Sequence, residues 1–188
     1  MSFDDCDLFT WSLGCIGSFV PFIPPANSIA LLDITSLILL EGRFRKRKKP
    51  VNGSWRMDET YIRVKGKWVY LYRAVDKYGD TIDLMLKAKR DKRAAKAFFK
   101  KAIKSNGHPI KVNIDKSGSN ISALNSINKP LSEEDKIEIR QNKYLNNRIE
   151  CDHRFIKKRT RPMLGFKCFR SAANTIAGIE LLHMIKKG

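Results

Sequence analysis

Three strand-like segments in a row, joined by turns too short for anything but hairpins, limit this chain's fold more than any other feature. WRMDETYIRV (55–64) alternates and is rich in aromatic and β-branched residues, with Asp58 near its middle. Lys65-Gly66 is a turn signal, KWVYLYRAVD (67–76) reads as a second strand, Tyr78-Gly79-Asp80 turns again, and TIDLMLKA (81–88) reads as a third. Short connections between consecutive strands imply an antiparallel meander.

The period then changes. DKRAAKAFFKKAIKS (91–105) places Ala94, Ala95, Phe98, Phe99, Ala102 and Ile103 at helical spacing, with Asp91 as N-cap and Asn106-Gly107 as stop. PIKVNID (109–115) is a short apolar strand ending on Asp115; residues 117–127 predict a helix, 129–135 a polar loop and KIEIRQ (136–141) a fifth strand. Two helices close the chain, one around Glu150 and one over 169–187, whose stripe of Ala173, Ile176, Ala177, Leu181 and Met184 should pack on the sheet, with His183 at the edge of the core. The expected fold class is therefore α/β, a mixed sheet flanked by helices, in the element order of the ribonuclease-H-like (retroviral-integrase-like) fold. Fold does not establish function, so the site residues must carry that claim.

Charge narrows the partners. The formal net charge is +18, and the first forty residues hold four Asp and no Lys or Arg, leaving a net +22 on residues 41–188. Such a balance favours a polyanion, with nucleic acid as the default. The basic residues are interleaved with strand-like segments rather than gathered on one cationic amphipathic helix, which argues against a membrane surface. Four scattered cysteines without a CxxC pair suggest neither a zinc site nor a disulfide framework, and fit a reduced, cytosolic protein.

Residues 1–41 read differently: acidic at first, then apolar, with Pro21, Pro24 and Pro25 interrupting any helix. The apolar run IALLDITSLILL (29–40) is too short to span a bilayer, which takes about 20 residues, and Asp4, Asp5 and Asp7 stand where a secretory signal would be positive. The expectation is a short helix or strand that packs on the main domain or is poorly ordered, with a membrane-associating anchor as the lesser alternative. Residues 42–53, with the basic run GRFRKRKKP, read as a linker, and 54–188 as one domain.

Three carboxylates merit attention. Asp58 lies mid-strand, where an acid is disfavoured unless it faces a site. Asp115 closes the fourth strand, which in this element order neighbours the first. Glu150 heads the basic stretch KYLNNRIECDHRFIKKRTRPMLGF (143–166); on a helix Glu150, Arg154 and Lys157 share one face, while Leu145, Ile149 and Ile156 line another. An amphipathic surface helix with an i, i+4 ion pair accounts for that face equally well. Converging carboxylates would need cations between them, and hard oxygen ligands select Mg²⁺ or Mn²⁺. Glu59 and Asp76, beside basic residues, read as surface ion pairs, and Asp152 as a helix-surface acid.

WRMDETYIRVKGKWVYLYRAVD, NIDKSGSN and the segment from Lys143 to the C-terminus resemble the catalytic region of bacterial DDE transposases of the insertion-sequence-six family. The resemblance covers about 54–188, with thirty-four residues between Asp115 and Glu150. It implies Asp58, Asp115 and Glu150 as catalytic metal ligands for two Mg²⁺ (or Mn²⁺) ions, DNA cleavage and strand transfer as the activity, and Lys157 as a contact to the DNA end, with Arg154, Lys158, Arg159 and Arg161 alongside. It further implies DNA ends and target DNA as partners, a homodimer or higher multimer, and a cytoplasmic, nucleoid-associated protein in bacteria. Family members usually begin with a helix-turn-helix, which residues 1–40 do not resemble. A truncated or defective copy, or a catalytically silent DNA-binding remnant that modulates intact transposase, is therefore the competing expectation; a nuclease acting on RNA–DNA hybrids is a third.

Overall fold

The computed structural model describes residues 50–142 and 147–187, together with Leu40 and Arg43. The expectations for residues 1–41, the basic linker up to residue 49 and Leu145 lie outside those residues. The side chains of residues 147, 148 and 150–152 are likewise outside the description.

The meander forms as the sequence predicts, with β1 (Ser54–Val64), β2 (Lys67–Asp76) and β3 (Thr81–Lys87) antiparallel. The β1–β2 hairpin turns on Lys65 (φ 49°) and Gly66 (φ 75°), the two positive φ values that let a two-residue turn follow the strands' twist. Helix α1 (Lys92–Asn106) starts at Asp91, whose carboxylate accepts the Ala94 N–H at 2.7 Å, and stops at Gly107 (φ 84°). Strand β4 (Lys111–Asn113) runs parallel to β1; α2 (Gly118–Asn128), β5 (Glu138–Arg140), α3 (Asn147–Thr160), a 3₁₀ turn (Arg161–Met163) and α4 (Phe169–Lys187) follow. The fourth and fifth strands are shorter than the sequence suggested, and Asp115 lies two residues beyond β4 rather than on its last position.

The sheet order is β3-β2-β1-β4-β5, with β4 and β5 parallel to β1: a ribonuclease-H-like topology. Each face buries its own core. Trp55, Met57, Tyr72 and Val112 meet Phe98 and Phe99 of α1 and Leu124 of α2 on one face. On the other, Ile62, Val64, Leu71 and Leu84 meet Ile156 of α3 and Ala172, Ile176 and Ile179 of α4. The buried side of α4 is broader than the expected stripe, because it also takes in Ala172, Gly178 and Ile179, while Ala173 and Ala177 are only half-buried. No helix among the described residues is long and apolar enough to cross a membrane.

Charged groups are buried as well. Arg73 of β2 and Glu180 of α4 are each almost wholly buried, and the guanidinium bonds the carboxylate twice, Nη2 to Oε1 at 2.7 Å and Nε to Oε2 at 3.2 Å. Thr81 adds its hydroxyl to the same carboxylate and accepts Arg73 Nη2 at 3.1 Å. Asp76, expected as a surface ion pair, is instead buried and accepts three backbone N–H groups, from Asn52, Tyr78 and Asp80. It organises the β2–β3 turn, and its oxygens are satisfied without a cation.

Candidate active site

Strand β1 serves both faces. Its odd-numbered residues Trp55 and Met57 enter the α1/α2 core and its even-numbered Ile62 and Val64 the α3/α4 core, so the successive acids Asp58 and Glu59 leave the backbone on opposite sides. Pairing with β4 aligns Arg56 with Asn113 and then stops. Two residues further along both chains stand Asp58 and Asp115, side by side where the strands begin to part. One carboxylate oxygen each from Asp58, Glu59 and Asp115 lies within 4.8 Å of the others.

Glu59 therefore belongs to the acidic cluster and is not the surface ion pair its basic neighbours suggested. Its side chain is only 4% exposed, accepts Asn120 Nδ2 at 2.9 Å and faces Arg90 Nη2 at 3.3 Å. Burial pushes the Glu59 carboxyl up from the usual range, against the pull of Arg90 and Asn120. The same two side chains reach Asp115: Arg90 Nη2 lies 3.3 Å from Oδ2 and Asn120 Nδ2 3.4 Å from Oδ1, while Oδ1 also accepts the Ser117 N–H at 3.1 Å. Partial burial works against the Arg90 charge, but Glu59 and Asp115 hold its guanidinium above its ordinary value. Arg90 is thus the cation that compensates two of the three acids, and Asn120, buried at the start of α2, fixes their spacing.

Helix α3 approaches from the other side. Ile149 and Ile156 are fully buried, as their spacing predicts. His153, one turn after Glu150, puts Nδ1 3.6 Å from Asp58 Oδ2, too long for a hydrogen bond but near enough to set the helix beside β1 at the acids. Glu150 is in the first turn of α3; its side chain lies outside the described residues. Arg154, Lys157, Lys158 and Arg161 line one concavity of about 490 Å³ with His153 and Pro162. Arg159, grouped with them by sequence, instead lays its guanidinium 3.8 Å from the centre of the Phe155 ring. His183 packs its ring against Phe155 from α4, which agrees with a core-edge residue.

An all-oxygen donor set of neighbouring carboxylates beside the Arg90 guanidinium fits a hard divalent ion. Asp58 and Asp115, singled out by the sequence, lie in this cluster, whereas Glu59, Arg90 and Asn120 were not singled out as site residues. The one available signal was Asp-Glu at the point of β1 where the buried positions change from odd to even.

Residues 52–188 match the family described as a DDE domain (DDE_Tnp_IS240). The chain is 41% identical over 145 residues to the transposase for insertion sequence-like element IS431mec of Staphylococcus aureus strain Mu50, and equally to the transposase for insertion sequence element IS257 in transposon Tn4003 of S. aureus. Each match covers 77% of this chain and 62% of the relative, so the chain spans somewhat under two thirds of those relatives' length. Among solved structures, it is similar to the HTLV-2 integrase catalytic core domain in complex with magnesium, dimeric form (TM-score 0.47, 20% identity, 58% of this chain and 70% of that one). It is also similar to the catalytic domain of Mos1 mariner transposase (TM-score 0.44, 13% identity, 82% and 87%). The family match over most of the chain agrees with the strand order and with acids at the β1–β4 junction, and this chain belongs to the DDE-domain transposase family.

Proposed function

We propose that this chain carries out metal-dependent cleavage of DNA strands and their transfer to target DNA, as in insertion-sequence transposition. The observation that supports it best is the convergence of Asp58, Glu59 and Asp115 oxygens within 4.8 Å at the end of the parallel β1–β4 pair. In this reading Asp58 and Asp115 from the sheet and Glu150 from α3 hold two Mg²⁺ ions, with Mn²⁺ as the substitute. The chemistry such a pair supplies is Lewis acidity toward the scissile phosphodiester.

The chain's own residues do the rest. Arg154, Lys157, Lys158 and Arg161 hold backbone phosphates in the concavity next to His153, with Arg159 adding charge over Phe155. Arg90 and Asn120 keep the Asp115 carboxylate in place beside Asp58. The partners are the element's ends and target DNA, engaged by a homodimer or higher multimer, and the setting is the bacterial cytoplasm at the nucleoid.

The test is strand transfer by purified protein on a pre-cleaved, labelled element end with Mg²⁺, wild type against Glu150→Gln. Product in the wild type alone supports the reading. No product in either, with DNA still bound, would instead favour a catalytically silent DNA-binding protein.

A further inference from the structure

Beside the basic concavity, the free end of the β1–β2 hairpin and the turn after α3 build a second groove, of about 660 Å³, whose chemistry differs. Two of its aromatic rings stand in solvent: Tyr61 of β1 is 50% exposed and Trp68 of β2 63%. Tyr61 is backed on one side by Tyr70, with ring centres 5.3 Å apart. Leu164 is 90% exposed and left-handed (φ 55°), an unfavourable conformation for a bulky residue without a structural reason to hold it.

That reason is visible. Phe166 donates its N–H to Arg63 O at 2.9 Å and Lys65 donates to Phe166 O at 2.7 Å, which pins the turn to the end of β1. Gly165 (φ 105°) packs so closely on Arg63 that an added Cβ would meet the carbonyl oxygen at 3.1 Å. The backbone is thus fixed in a form that projects an apolar side chain into water beside two open rings.

The remaining wall is cationic. Arg63, Lys157 and Arg161 line the groove, and among the described residues no carboxylate does. Lys157 and Arg161 also line the concavity next to His153, so the two depressions share a cationic wall. A second copy of this chain, itself at +18, would bring like charge to this wall. A polyanion suits it, and the open rings ask for more than phosphate.

We propose that this groove binds an unstacked DNA base, a nucleotide drawn out of the duplex or left in a single-stranded tail at the end held by the concavity. Tyr61 and Trp68 offer stacking faces, Leu164 is the wedge that takes the vacated place in the stack, and the three cations hold the flanking phosphates. The inference rests on the DNA-transposing reading and adds the part of the DNA that this surface takes.

The experiment uses the full chain without divalent metal and measures anisotropy with three labelled probes: a blunt duplex, the duplex with a three-nucleotide tail, and the same tail made abasic. The wild type should bind the base-bearing tail about fivefold or more tighter than the abasic one. Trp68→Ala and Leu164→Ala, both at exposed positions and checked by circular dichroism, should lose that advantage and keep the affinity for blunt duplex. Equal affinity for the two tails in the wild type, or an equal loss on all three probes in Trp68→Ala, overturns the proposal while leaving the catalytic reading intact. Self-association that Trp68→Ala abolishes, together with base-insensitive binding, would overturn it in favour of a second copy in the groove. Failure to bind any probe would overturn both readings.

Discussion

Replacing Glu180 with Gln tests the core that stands behind the acids. The substitution keeps size and an acceptor oxygen but leaves the Arg73 guanidinium buried opposite a neutral amide. Breaking a buried pair by removing one charge costs about 3–5 kcal/mol. The retained hydrogen bonds place Glu180→Gln near the lower end, about 3 kcal/mol, which for a domain of this size lowers Tm by about 6–12 °C. The double variant Arg73→Met/Glu180→Leu should recover most of the loss, since an apolar pair of similar volume is often no worse than the ion pair.

The pH dependence has a definite sign. Burial alone would raise the Glu180 carboxyl, but Arg73 and the Thr81 hydroxyl outweigh it and hold it below the usual range. A depressed folded pKa contributes stability that is present above the unfolded value, about 4.3, and lost as pH falls through the folded one. Urea denaturation at pH 7 should therefore show the full gap between wild type and Glu180→Gln, and the gap should close in acid. A loss under about 1 kcal/mol at pH 7, or a gap that persists unchanged in acid, would refute the reasoning. Arg73 is also the cross-strand partner of Asp58, so the pair braces the strand that carries the first acid.

Other consequences are checked as readily. Glu59→Gln removes one of three converging carboxylates and should weaken Mn²⁺ binding in isothermal titration, whereas Glu138→Gln, on the exposed β5 edge, should not. Gly165→Ala must accept both a φ of 105° and contact with the Arg63 carbonyl, and should cost about 1 kcal/mol or more in chemical denaturation. If Lys157 contacts a phosphate, Lys157→Ala should reduce the slope of log binding constant against log salt by about 0.9 in DNA titrations.

What the sequence revealed and what it hid have the same physical origin. Local rules decide a hairpin turn at Lys65-Gly66 or a cap at Asp91, so both are readable residue by residue. Asp58 stood out because a mid-strand acid is locally unfavourable and demands an explanation, and Asp115 because it follows directly on a short apolar run. Glu59 was misread because its meaning depends on Arg90 and Asn120, which lie thirty-one and sixty-one residues away. Asp76 was misread for a related reason: its partners are backbone N–H groups of a turn whose closed shape composition does not disclose. Glu180, inside an apolar helix, and Arg73, inside an apolar strand, were each other's clue across one hundred and seven residues.

The parallel pairing of β1 with β4 spans only three residues and joins segments more than fifty positions apart, whereas β1, β2 and β3 are neighbours in the chain. Loop closure makes local pairings fast and distant ones slow, so the meander should form first and β4 should dock late, carrying Asp115 toward Asp58. Mutual repulsion of the acids then falls on the last step of folding instead of on its nucleus. Pulse-labelled hydrogen exchange should find the β2 amides protected before those of β4, and simultaneous protection would contradict this order. A divalent cation that relieves the repulsion would in that case speed the final docking and leave the meander's own formation rate unchanged.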